Sequence, residues 1–448
     1  MVMHQDHRRH GLNVWMNGEH VAHWLPGLHA PSQLRYEDSW LASDRARPLS
    51  LSLPLPLSPG HQRAHHAGAK VENYFENLLP DNPTIRDRLK ERFRVRNTSA
   101  FSLLSEIGRD CVGAIQLLPL EQQPADPADI QAQPLSEGDI ERILLDTVSA
   151  PGPGARDEID EFRISIAGAQ EKTALLWHQG RWCRPMGSTP TTHILKLPLG
   201  IIGGNQRDMR ESVENEWLCA QIMGAFGIEM PYCEIATFGQ QKVLVVERFD
   251  RRWDEGALLR LPQEDCCQAL GLPPHKKYEA DGGPGMEAIA GLLATSDDGM
   301  DAVGVFLRAQ VIFYLLAATD GHAKNFSIRL LPGGRYQLTP LYDVLSIWPI
   351  VGKGPRHVPY QNVKLAMGFK ASKGTKRELD RIMPRHMAAT AKACGYPALS
   401  EDITAIMDVF DERMDGVGRA LPPGFPQRIY DSIRKGMRTM RDRYRNTA

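Results

Sequence analysis

A chain of 448 residues is longer than one compact core holds, so two or three domains are expected. Its 42% apolar and 24% charged content is that of an ordinary globular protein and excludes a low-complexity chain. A formal net charge of −1 excludes a global electrostatic bias toward nucleic acid or membrane.

Seven cysteines are scattered without a C-x-x-C pair, and their number is odd. Reduced thiols are expected rather than a disulfide frame or a zinc site. The N-terminus has no apolar signal-like run and no stretch reaches membrane-spanning length, so a cytoplasmic protein without membrane contact is expected.

Residues 1–11 are polar and His-rich, and disorder is expected there. Leu12, Val14 and Met16 alternate before the tight-turn pair Asn17-Gly18, and Val21 and Trp24 follow, which predicts a hairpin. Leu34, Tyr36 and Trp40 predict more strand. The leucines at 51, 53, 55 and 57 are interrupted by prolines, which demotes that run to an edge or a loop. Helices are predicted over 71–79, over 83–93 with Pro83 in the first turn, and over 100–108. A short strand is predicted over 112–118. Residues 12–148 thus form an N-terminal α+β subdomain, ending in linker-like sequence at 121–138 and 149–156 around a helix at 137–146.

Residues 149–250 read as a β-rich unit. A strand from Phe162 enters a loop of small residues, Ala167 to Lys172, and leaves as strand through Leu176, with a hairpin end near Trp177–Trp182. Small residues let backbone N–H groups approach a phosphate, although one Gly168 is not a G-x-G-x-x-G signature. Thr192 to Leu197 is a strand with Lys196 inside it, and a lysine among apolar residues is costly unless it meets an anion. A helix capped by Ser212 follows, with Glu214 and Glu216 as alternative partners for that lysine. Strands at 232–238 and 242–247 end at Glu247-Arg248-Phe249.

Residues 251–448 read as mainly helical: 263–270, 286–294, 303–318, 375–392, 400–417 and 426–445, with a Gly/Asp-rich loop at 276–285. The last helix is rich in arginine, which suits an acidic partner or DNA, or else a solvated face. Inside this unit an apolar helix ends just before Thr319-Asp320-Gly321-His322-Ala323-Lys324-Asn325. Then Phe326, Ile328 and Leu330 alternate, Pro332-Gly333-Gly334 break the run, and the return strand leads to Leu341-Tyr342-Asp343. Phosphoryl transfer needs a carboxylate beside the acceptor hydroxyl and oxygen ligands for the nucleotide's magnesium, and a D-x-x-x-x-N loop followed by an Asp beyond a short excursion supplies both. Asp320 is the expected base; Asn325 and Asp343 are the expected ligands.

These segments also carry a resemblance. Leu12 to Gly18, Glu76 to Asp81, Arg163 to Lys172, Val246 to Arg251, Leu261 to Asp265, Ala318 to Asn325 and Leu338 to Asp343 together resemble the HipA family, the serine/threonine kinase toxins of bacterial HipBA toxin–antitoxin modules. The resemblance implies an α+β fold: a two-lobed protein-kinase-like core, with a β-rich ATP lobe and an all-α C-terminal lobe, plus the added N-terminal subdomain. It implies ATP and Mg²⁺ as cofactors. Asp320 would be the catalytic base, and Asn325 and Asp343 would hold the metal. Ala167, Gly168, Ala169, Gln170, Glu171, Lys172, Lys196, Glu247, Arg248, Phe249, His322, Ala323, Lys324, Asn325, Tyr342 and Asp343 would contact the nucleotide. Ser165 would be the site of autophosphorylation. The implied substrate is glutamyl-tRNA synthetase. The implied partners are a HipB-like helix-turn-helix antitoxin and, mainly through it, operator DNA, since Lys392-Ala393-Cys394-Gly395 keeps one basic residue of the family's DNA-contacting stretch. A non-catalytic DNA-bound co-repressor and a small-molecule phosphotransferase stand as alternatives.

Overall fold

The computed structural model describes residues 11–27, 31–56, 65–148, 167–168 and 170–447. The disorder expected at the N-terminus, the linker at 149–156, the strand from Phe162 with Ser165, and Ala169 lie outside the described residues. Two compact units are built from non-contiguous stretches: residues 1–197, 236–275 and 328–336 in the first, and residues 198–235, 276–327 and 337–448 in the second.

The two largest sheets among the described residues lie mainly in the first unit. Alternation at 12–16 and the turn at Asn17-Gly18 produce the expected antiparallel hairpin, Leu12–Met16 against Glu19–Leu25. It grows into a five-stranded sheet in the order His65–Ala67, Gln33–Tyr36, Glu19–Leu25, Leu12–Met16, Ile115–Pro119. Helices Ala69–Glu76, Pro83–Phe93 and Ala100–Ile107 accompany it; Asn82 caps the second of them by accepting from Thr84 N, with Pro83 in the first turn as expected. The core is aromatic: Trp24 stacks on Phe75 with ring centroids 3.7 Å apart. Trp40 lies in a one-turn helix, Asp38–Leu41, rather than a strand. The strand predicted from residue 112 begins at Ile115.

The second sheet has six strands, in the order Cys233–Phe238, Gln241–Glu247, His193–Lys196, Lys172–His178, Arg181–Pro185, Ala132–Pro134. Helix Glu137–Val148 lays Ile140 and Leu144 against Leu175, Leu195, Val243 and Val245. Residues 132–148 therefore pack with this sheet, although proximity in sequence groups them with the N-terminal subdomain. A hairpin not anticipated, Arg251–Asp254 with Ala257–Arg260, follows the last strand. The helix expected over 263–270 is a short strand, Gln263–Asp265, and then a single turn, Cys266–Ala269, opened by an Asp265–Gln268 capping box.

The second unit is built around helix Gly299–Leu316, which is hydrophobic on all sides because helices Met286–Leu293, Leu399–Asp408 and Gln427–Thr447 pack against it. It is the one helix among the described residues long and apolar enough to cross a membrane, and 72% of that window is buried inside the protein.

Two expectations are corrected in this unit. The C-terminal region is not all helix: 375–392 begins as the strand Thr375–Glu378, paired with Lys364–Lys370, and the helix runs only over Pro384–Ala393. The reason is local, since Pro384 sets a helix start and the apolar 365–369 run needs a partner strand. Ser212 is not the cap of its helix; Glu211 holds that position, and the Ser212 hydroxyl accepts from Leu199 N at 2.9 Å. The arginines of the last helix make partly exposed ion pairs. Arg434 meets Asp415, Arg438 and Arg441 both meet Asp411, and Arg445 meets Asp408. The arginine-rich face thus carries intramolecular ion pairs to the neighbouring helices and stays partly solvated, as one of the two sequence readings has it.

Candidate active site

The end of helix Gly299–Leu316 poses a problem that the site solves. The last carbonyls of a helix have no partner inside it and carry partial negative charge. Here Ala317 turns left-handed (φ 48°) and the chain reverses. The orphan carbonyls are met by the segment that follows Asp343: Ser346 Oγ donates to Leu316 O at 2.6 Å and Trp348 Nε1 to Leu315 O at 2.8 Å. Asn215, on helix Ser212–Ala225, clamps the same segment. Its Nδ2 donates to Ser346 O at 2.7 Å and its Oδ1 accepts from Ser346 N at 3.0 Å. The two stretches that carry the predicted acids are therefore fastened to each other by helix capping, 30 residues apart in sequence.

The first of these stretches is the turn Asp320–Asn325. Gly321 is needed because a Cβ there would stand 2.6 Å from the Phe313 ring. His322, Lys324 and Asn325 are all buried, whereas the Asp320 side chain is 58% exposed. Asn325 Nδ2 donates to Asp320 O at 2.8 Å, which fixes the amide and turns Oδ1, a hard-cation donor, the other way. The Tyr342 phenol donates to Lys324 O at 2.9 Å and lies against Ser327 Oγ. Asp343, the next residue, sits at φ +64°, a conformation that costs a non-glycine residue about 1 kcal/mol or more and concentrates at functional sites. The expected hairpin, Ser327–Leu330 with Tyr336–Leu338, is the excursion that returns the chain here. Asn325 is thus tied to Asp320 within one turn, and Asp343 follows the tyrosine that bonds to that turn.

The predicted nucleotide residues divide between the units. In the first, Lys196 is buried on its strand, directly opposite Lys172 on one neighbour and Leu244 on the other. Gly168, at φ +116°, would place a Cβ 2.5 Å from Lys172 Nζ, and its carbonyl accepts from Asp81 N at 3.1 Å. Gln170 Nε2 donates to Leu197 O at 2.6 Å. The Glu171 carboxylate is paired with Arg88. Glu247 is exposed opposite His193, and Phe249 is half-buried. Glu214 and Glu216, the alternative partners for Lys196, are both buried on the Ser212–Ala225 helix of the second unit.

Arg248 lies in a buried charge cluster that sequence reasoning missed. Asp110 Oδ2 accepts from Thr191 N, Thr191 Oγ1 and Arg248 Nη1. Its Oδ1 accepts from Arg251 Nη2 and Arg260 Nε. Asp250 takes two further bonds from Arg248 at 2.9 and 2.8 Å. Burial alone would raise the Asp110 carboxyl, but the three guanidiniums hold it well below its ordinary range. Arg248 therefore spends its side chain on shaping the Glu247–Phe249 corner, and its own N–H donates to Thr192 O at 2.8 Å. Nothing in the spacing of Asp110 and Arg260 announces this cluster. Tyr278, whose hydroxyl donates to Asp320 Oδ1, was also missed, because it lies in a loop whose only sequence signal is glycine and aspartate.

An antiparallel sheet with a buried lysine, and a helical body with an Asp-x-x-x-x-Asn turn and a tethered second aspartate, are the parts of a kinase-like fold. Comparison with known proteins narrows the class. The model of the HipA-like C-terminal domain matches residues 164–417 and that of the HipA N-terminal domain matches residues 12–118. The chain belongs to the HipA family. It is 32% identical to the putative kinase Y4mE of Sinorhizobium fredii over 404 residues, 89% of each chain. It is 28% identical to the serine/threonine-protein kinase toxin HipA of Shewanella oneidensis over 329 residues, 70% of each. Among solved structures it shares the fold of HipA in the Shewanella oneidensis HipA–HipB–operator DNA complex, with a TM-score of 0.78, 24% identity and 97% of both chains covered.

Proposed function

We propose that this chain is a serine/threonine protein kinase toxin of a type II toxin–antitoxin system, acting in the cytoplasm with ATP and Mg²⁺. The observation that carries the reading is the tethered turn: the Asn325 amide on the Asp320 carbonyl and the Tyr342 phenol on the Lys324 carbonyl. In it Asp320 takes the proton of an acceptor hydroxyl as that oxygen bonds to the γ-phosphorus and the bond to ADP breaks. Asn325 and Asp343 offer an amide and a carboxylate oxygen, the hard donors that Mg²⁺ prefers, and are the residues that would hold it. Charge neutralisation on the phosphate oxygens is what that ion supplies when bound. In the first unit Lys196 and the loop at Ala167–Lys172 are assigned to the phosphates and the Glu247–Phe249 backbone to the adenine edge; in the second, His322 to Asn325 and Tyr342 are assigned further nucleotide contacts.

Glutamyl-tRNA synthetase is the proposed substrate, so that translation stops and cells persist. Ser165 is the proposed autophosphorylation site, where a charge of roughly −1.5 to −2 would draw the phosphate loop away from ATP. A HipB-like antitoxin is the proposed partner, and the pair represses its operator. A relative named as a serine/threonine-protein kinase toxin and a solved complex that contains antitoxin and DNA support the kinase and antitoxin assignments.

The test is incubation with γ-labelled ATP and Mg²⁺, first with a host lysate and then with purified glutamyl-tRNA synthetase. Labelled serine on the synthetase, absent with Asp320→Ala, is expected. Label confined to small molecules favours a small-molecule phosphotransferase. No transfer at all favours a non-catalytic co-repressor.

A further inference from the structure

We infer that Tyr278 is a positioning residue for Asp320: its phenol fixes one carboxylate oxygen so that the other faces the acceptor hydroxyl. The inference rests on Asp320 being the base. Asp320 lies on a turn with a largely exposed side chain, so its carboxylate is free to rotate unless something holds it. Tyr278 Oη donates to Oδ1, and His322 Nε2 stands 3.9 Å from the same oxygen. Both contacts fall on Oδ1, which leaves Oδ2 as the atom presented to substrate. Proton abstraction requires that atom within hydrogen-bond reach of the hydroxyl, so rotational freedom at Asp320 translates directly into lost rate.

The tyrosine is itself held from several sides, as a positioning group must be. Lys277 O accepts from Ala323 N at 3.2 Å, which ties its loop to the catalytic turn. Tyr278 O accepts from Gly283 N at 2.9 Å, closing a turn in which a Cβ at Gly283 would stand 2.0 Å from Lys276 O. Glu279 accepts from Gly368 N and from Thr375 Oγ1, both at 2.6 Å, so the hairpin Lys364–Lys370/Thr375–Glu378 braces the loop from the far side. The Tyr278 ring meets His322 edge-on with centroids 4.9 Å apart, and the Lys277 ammonium stands 5.4 Å from the Tyr278 ring centroid. Ring placement therefore does not depend on the phenol bond, and Tyr278→Phe removes the donor while leaving the ring seated.

The experiment compares wild type, Tyr278→Phe, Asp320→Ala and the double variant in phosphotransfer to a protein acceptor, with ATP affinity and thermal melting measured on each. For Tyr278→Phe, kcat is expected to fall about 10- to 100-fold, with KM for ATP within about twofold and melting unchanged, the size of a lost orienting contact. In the Asp320→Ala background the tyrosine change is expected to cost nothing further, because its effect passes through that carboxylate. An inactive Asp320→Ala beside a wild-type or faster Tyr278→Phe overturns the positioning role and leaves Asp320 as base. A slow Tyr278→Phe that also melts earlier or loses ATP affinity overturns it too, as a structural effect. A fully active Asp320→Ala overturns the base assignment, and the role of Tyr278 with it.

Discussion

Replacing Asp110 by Asn removes one charge from a cluster with almost no access to water. Three guanidiniums, those of Arg248, Arg251 and Arg260, face two carboxylates, Asp110 and Asp250, with every side chain at most 7% exposed. Asp110 accepts five hydrogen bonds there. The amide keeps the shape but turns an N–H₂ toward donors and leaves three cations against one anion. Breaking one partner of a buried ion pair costs about 3–5 kcal/mol, since the remaining charges stay desolvated. With a urea dependence of about 2–3 kcal/mol per molar for a unit of this size, the midpoint is expected to fall by about 1–2.5 M.

The sign with pH follows from the depressed carboxyl. The stability Asp110 contributes is present above its ordinary value near 3.8 and is lost as pH falls toward its lower value in the folded protein. Urea melts followed by circular dichroism at about pH 7 and about pH 2.5 measure both. Arg428→Ala, which breaks an exposed pair with Glu211, is the control and is expected to cost under about 1 kcal/mol. A midpoint shift for Asp110→Asn no larger than the control's would refute the reasoning that the cluster holds the Glu247–Phe249 corner in place.

Glu264 is fully buried and its carboxyl is pushed up to about 8 by burial, which the Ser50 and Leu51 hydrogen bonds only partly offset. It is protonated in the folded chain and ionised in the unfolded one between about pH 4.5 and 8, so stability falls as pH rises across that window, by about 1.4 kcal/mol per pH unit. Glu264→Gln is expected to flatten this slope in melts from pH 5 to 7.5; equal slopes would count against it. Asn215→Ala strands the buried N–H and C=O of Ser346 and is expected to cost about 2–4 kcal/mol and lower kcat, read by urea melts beside phosphotransfer assays. Gly321→Ala forces a methyl into the Phe313 ring, and a loss of about 1–3 kcal/mol with slower transfer is expected; unchanged kinetics would show that the turn relaxes without moving Asp320. Asp320→Ala is expected to lower phosphotransfer about 10³-fold or more in the labelled-ATP assay.

Local pattern alone determined a good deal of this protein. Alternation and the Asn17-Gly18 turn specified the first hairpin, Pro83 marked a helix start, and the apolar run before Asp320 specified a buried helix. The Asp320–Asn325 turn, the hairpin after it and the return to Asp343 were legible for the same reason: each is a contact between residues near in sequence, where turn chemistry and periodicity act directly. The strand pairing of 364–370 with 375–378 was not, because an apolar run of that length suits helix or strand equally until a partner is known. Tertiary structure alone decided how the predicted acids are held. Asn215 clamping Ser346, Asp110 gathering three arginines, and Tyr278 reaching Asp320 join residues 42 to 150 positions apart. Such pairings leave no periodic trace, since a buried polar group demands only that some partner arrive, and the folded chain determines which.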